Sequence, residues 1–105
     1  MHQKYIIQDG DILMGKVNYH KQLVTNPDGV RGGGMYRLDY DNKYIKFFGR
    51  SDDFGETEFD QVARAIHDGN VFYRTAKEQN KIFAEYAIII VDIYGAEHEV
   101  YFKDI

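Results

Sequence analysis

A chain of 105 residues with one proline, no cysteine, no tryptophan and sixteen aromatic residues, nine Tyr and seven Phe, has the size of a single domain, 1–105, built on one modest core. The lack of cysteine excludes a disulfide scaffold, a zinc ribbon and a thiol nucleophile. A formal net charge of −4, with Lys and Arg interspersed among Asp and Glu, lacks the basic footprint of a duplex nucleic-acid binder, so no nucleic-acid partner is expected.

Met1-His2-Gln3-Lys4 is followed by only Tyr5, Ile6 and Ile7 before Gln8-Asp9-Gly10, which leaves no signal-peptide core. The longest aliphatic run, Ala87 to Val91, is far below the ~20 residues of a membrane span. The chain therefore reads as soluble and cytoplasmic, with no membrane partner. Lys4 to Gln8 and Asp11 to Val17 predict two strands joined by an Asp9-Gly10 hairpin turn. Asn26-Pro27-Asp28-Gly29 is the clearest turn in the chain, with Pro pre-set for its first central position. Val30 to Tyr40 and Lys43 to Gly49 alternate with period two around Asp41-Asn42 and predict the next pair of strands.

Phe59, Val62, Ala63 and Ile66 fall at i, i+3, i+4 and i+7 and predict the one principal helix. Thr57 with Asp60 resembles a capping box, and Gly69 suits a left-handed terminator. Beyond it, Val71 to Arg74 fits a short strand, Ala76 to Lys81 fits either a loop or one helical turn, and Ile82 to Tyr94 contains the β-branched run Ile88-Ile89-Ile90-Val91 of a central strand buried on both faces. Gly95-Ala96 then turns the chain into a last strand, Glu99 to Lys103. The fold class that follows is α+β, a mixed sheet of five or more strands with one principal helix packed on it.

Walker loops, HExxH, dinucleotide fingerprints, GxSxG elbows and metal-ligand spacings of His with carboxylates are absent, so neither a cofactor nor a metal is expected. Three consecutive glycines, Gly32, Gly33 and Gly34, open a strand at an entropic cost of roughly 0.5–1 kcal/mol each relative to Ala; close approach of a backbone or ligand, or a bulge, must favour them. At the far end of the hairpin, Gly49-Arg50-Ser51-Asp52-Asp53-Phe54-Gly55 is a glycine-bounded loop that can aim successive N–H groups and a hydroxyl at an oxyanion. The plain alternative is a hairpin exit in which Ser51 bonds its own backbone.

The spacing of Gly32-Gly33-Gly34, Lys43, Ile45, Gly49, Ser51, Phe54 and Gly55 resembles, without a gap, the pattern of the phosphohistidine phosphatase family (the Janus/Ocnus family). Lys4-Tyr5, the stretch Asp11 to Gly15 and Tyr19-His20 resemble its first two strands and its catalytic Tyr-His. The resemblance implies that His20 activates water or takes the phosphoryl group itself. By the same resemblance Lys4, Ser51 and the N–H groups of Asp52 and Asp53 hold the phosphate of a phosphorylated protein or small phosphorylated ligand, without a metal. An imidazole near neutrality suits proton transfer, and phosphoryl transfer depends mainly on positioning and charge. Where the family carries a phosphate-binding arginine this chain has Met14, and Lys16, two residues on, takes the same side of the strand.

His67 reads as a helix C-terminal residue, His98 as a turn residue and His2 as part of a mobile terminus. Tyr36, Tyr40, Phe47 and Phe48 read as core rather than as a base-stacking platform. The reading from a different class is a non-enzymatic protein-interaction module of the same fold, using a sheet edge or Tyr44 and Tyr101, with the triple glycine purely structural.

Overall fold

The computed structural model describes residues 2–74 and 79–101. Among them, seven strands form one sheet: β1 (His2–Gln8), β2 (Asp11–Val17), β3 (Val30–Asp39), β4 (Tyr44–Phe48), β5 (Val71–Tyr73), β6 (Ala87–Val91) and β7 (Glu97–Val100). Their spatial order is β5-β2-β1-β3-β4-β6-β7, with β2/β5 and β4/β6 parallel and the other pairs antiparallel. Helices α1 (Phe59–His67) and α2 (Gln79–Glu85) lead into the two parallel strands, β5 and β6. The architecture is α+β, with a mixed sheet and α1 as its principal helix. No helix of the described residues is long and apolar enough to cross a membrane.

The turns follow their local chemistry. Asp9 and Gly10 take φ of +54° and +82°, the double left-handed step of a two-residue hairpin, and β1 pairs with β2 from His2/Val17 to Gln8/Asp11. The β3–β4 turn instead puts Lys43 at φ +53°, where its Cβ is disfavoured. Lys43→Gly is therefore expected to raise stability by about 0.5–1 kcal/mol, read as a higher denaturation midpoint with unchanged slope.

The two faces of the sheet carry different burdens. One face packs on α1 and α2 through Tyr5, Ile7, Ile12, Met14, Tyr36, Ile45, Phe47, Ile88 and Ile90, which meet Val62, Ile66 and Phe83. The other face holds Ile6, Val17 and Leu23 beneath the segment that follows β2, whose central feature is a 3-10 turn at His20–Leu23. Gln8 fastens that segment. Its Nε2 donates to Thr25 Oγ1 at 2.6 Å, and its Oε1 accepts the Thr25 and Asn26 amides at 2.9 and 3.0 Å.

Several expectations are corrected. The N-cap of α1 is Glu58, whose N–H donates to Gln61 Oε1, while Thr57 Oγ1 is bonded to Tyr5 OH at 2.9 Å; Thr57 and Asp60 do not form the cap. Ala65 joins the buried stripe and Ala63 is only half-buried. Gly69 ends the helix at φ +76° as expected. Ile82 to Glu85 belong to α2, so the strand expected over Ile82 to Tyr94 is confined to Ala87–Val91, where Ile88 and Ile90 are buried and Ala87, Ile89 and Val91 half-covered. The last strand begins at Glu97 rather than Glu99, because Gly95 closes the turn against Asp92. Its expected continuation through Phe102 and Lys103 lies outside the described residues, as do residues 76–78 of the Ala76 to Lys81 stretch, whose Gln79 to Lys81 open α2. His2 is the first residue of β1, and His98 sits on β7, donating from Nε2 to Asp92 Oδ2 at 2.8 Å with its ring 4.6 Å from that of Phe59. Tyr36 and Phe47 are core, whereas Tyr40 is 64% exposed and packs edge-on against Tyr86.

Candidate functional site

The triple glycine lies where β3 must accept neighbours at backbone distance on both faces. Gly34 pairs with Tyr5 and Gly33 with Ile6 in the β1/β3 ladder. A Cβ on Gly34 would stand 2.5 Å from Phe48 O and 2.9 Å from Tyr5 Cε1; one on Gly33 would stand 2.6 Å from Tyr5 O and 3.1 Å from His20 Cδ2. Gly32, at φ +134°, has the Glu56 carbonyl where a Cβ would be. Gly33 thus leaves the floor on which the His20 ring lies.

His20 is 5% exposed and its Nε2 is 2.7 Å from Gly34 O. A carbonyl oxygen only accepts, so Nε2 carries the hydrogen and the lone pair of the neutral ring resides on Nδ1. Among the described residues Nδ1 has no hydrogen-bond partner. Burial is the main cause that holds the His20 pKa below 6.5, opposed by the Gly34 bond; Lys4 lowers it further, while Asp53 and Asp52 pull it up. These charges therefore converge on one imidazole. Lys4 donates from Nζ to Asn18 O at 2.9 Å, which ties β1 to the start of the His20 turn, and among the described residues it has no carboxylate partner. The Gln22 side chain closes the same turn by accepting the Asn18 and Tyr19 amides at 2.8 and 2.9 Å.

The loop 49–55 is fastened beside this ring. Ser51 and Gly55 exchange backbone bonds, and the Gly55 carbonyl also accepts the Gly33 N–H at 3.1 Å. Ser51 is fully buried, and its Oγ accepts the Phe54 amide at 3.1 Å. The hydroxyl is a turn closer in the structure, the plainer of its two readings. Phe54 packs with Ile6, Val17 and Leu23 on the face that carries His20. Gly49 and Gly55 take φ of +75° and +79°, the left-handed steps that let the loop leave β4 and return. What the loop leaves outward is the exposed pair Asp52 and Asp53, whose amides have no partner among the described residues.

Of the sequence candidates, Ser51, Asp52 and Asp53 lie on the loop that Gly55 O holds to Gly33 N–H, against whose Cβ position the His20 ring lies, and Lys4 bonds the Asn18 carbonyl at the start of the His20 turn. Lys16 does not join them. It alternates in phase with Ile12 and Met14, which pack toward α1, whereas Lys4 alternates in phase with Ile6 on the opposite face. Met14 itself is fully buried in the core under α1, an apolar position that an arginine could not fill unpaired. Sequence reasoning also missed the anchors Gln8, Asn18 and Gln22, whose work is hydrogen bonding between segments far apart in sequence. No cluster of three or more metal-ligating side chains is found among the described residues.

A concavity lies away from His20, between 56–59 and the β6–β7 turn. It is lined by Thr57, Phe59, Asp92, Ile93, Tyr94 and His98. Compared with family models, curated proteins and solved structures, the chain matches none.

Proposed function

We propose that the chain is a phosphohistidine-phosphatase-like protein that binds a phosphorylated protein or small phosphorylated ligand at His20 and hydrolyses its phosphoramidate bond without a metal. The observation that carries this reading is the His20 geometry: in a nearly buried ring one nitrogen is fixed on Gly34 O and the other has no hydrogen-bond partner among the described residues. A neutral imidazole so held is a base. In the proposed reaction Nδ1 takes a proton from the attacking water, the new P–O bond forms as P–N breaks, and the leaving nitrogen is protonated from solvent. The Asp52 and Asp53 amides and Lys4 supply donors and positive charge for the phosphoryl oxygens.

Titration with inorganic phosphate followed by NMR tests the site. Shifts concentrated at the Asp52 and Asp53 amides and the His20 ring are expected; amides that stay unmoved at millimolar phosphate refute it. A second reading, a non-enzymatic interaction module of the same fold, is favoured by the half-exposed face formed by Met35, Phe48, Ile89 and Val91, which no helix among the described residues covers. Binding of a phosphorylated peptide with no turnover separates that reading from the first.

A further inference from the structure

Two carboxylates stand beside a site proposed to bind a dianion, and their placement has its own chemistry. Asp52 and Asp53 are exposed, lie on the loop held to Gly33 through Gly55, and favour the protonated His20 ring where Lys4 disfavours it. Neither has an ion-pair partner among the described residues. The one basic residue of the loop, Arg50, reaches instead toward Glu56 at 4.0 Å. His20, whose Cδ2 lies 3.1 Å from the Cβ position of the same Gly33, is nine-tenths buried, and its Nδ1 has no hydrogen-bond partner among the described residues. The rim of the site is therefore net negative while its floor presents donors and one ammonium.

We infer that Asp52 and Asp53 make this site selective for a phosphoryl group carried beside cationic side chains, namely a phosphorylated peptide with Lys or Arg next to the phosphorylated residue. This inference rests on the proposed phosphoryl-binding reading. A bare phosphate meets donors on the floor and repulsion from the rim, whereas a lysine or arginine next to the phosphoryl group converts the rim from repulsive to attractive. An acidic neighbour meets two like charges. The contrast between basic and acidic flanks is expected to reach about tenfold in kcat/KM at low salt, the size that one or two screened charge pairs supply, and to shrink as salt is added.

The test uses phosphohistidine peptides of one length flanked by two lysines, two alanines or two glutamates, with phosphoramidate as the unflanked reference. The full chain is compared with the double substitution Asp52→Asn and Asp53→Asn. Support is a wild-type order of Lys over Ala over Glu that collapses in the double variant, together with improved use of phosphoramidate once the two charges are gone. Equal rates on all three peptides, with phosphoramidate turned over, overturn the inference and leave the parent reading standing. A flank preference that survives the double substitution also overturns it. If neither phosphoramidate nor any peptide is bound or turned over, both fall.

Discussion

Gly34→Ala is expected to lower stability by about 3 kcal/mol, with a drop of more than about 10 °C in Tm. The cause is steric and lies in rigid material. The added Cβ would stand 2.5 Å from Phe48 O, 2.9 Å from Tyr5 Cε1 and 3.1 Å from Gly49 O, so relief requires moving β4 or a fully packed tyrosine, not the end of a flexible side chain. Gly95→Ala supplies the comparison: at φ +84° its Cβ meets nothing within 4 Å, so only the left-handed backbone is penalised, about 1 kcal/mol. Chemical denaturation of the two variants measures both. Equal losses would show that the close approach at Gly34 is not what demands glycine there.

His20→Ala is expected to reduce phosphoramidate turnover by about 10²–10⁴-fold, the usual contribution of a positioned general base. The pH dependence follows from the same burial. Desolvation lowers the His20 pKa below 6.5, so the neutral base persists at neutral pH, and the rate of the wild type should fall on the acid side with a midpoint below that value; the variant should lack this limb. Stability has the same sign. The unfolded ring binds its proton near pH 6.5 and the folded ring resists it, so stability declines as pH falls from about 6.5 through the depressed folded value and levels off below it. His20→Gln keeps a side-chain N–H for Gly34 O and should flatten that decline. Denaturation midpoints of the two proteins across pH 4–8 check the sign, and parallel curves would contradict it.

Residues whose geometry is dictated by their immediate neighbours were legible in the sequence. Asp9-Gly10, Gly69 and the spacing of Phe59, Val62 and Ile66 each specify a local conformation, and the fold uses them as written. The loop 49–55 was legible as a constellation, although Ser51 turned out to spend its oxygen on Phe54 N–H. One departure comes from a run dominated by its strongest member. Ile82, Phe83 and Tyr86 carry helical spacing, but the β-branched run after them dominates the window; in the structure Phe83 stacks on Phe47 from α2, with centroids 6.5 Å apart. The strand period puts Lys16 on the side of Met14, and which side faces α1 depends on long-range packing that no local pattern encodes.

The sheet order has a dynamic consequence. His20 rests on β3 and is tied through Lys4 to β1, and these are the third and fourth of the seven strands, flanked by paired neighbours on both sides. Spontaneous local opening begins where pairing is one-sided, at the three-residue β5 and at β7, and costs little there. The floor beneath His20 opens only when the sheet itself comes apart. The arrangement that the proposed function needs at this floor is therefore populated whenever the protein is folded, and a phosphoryl ligand of the proposed kind would lose no affinity there to a conformational search.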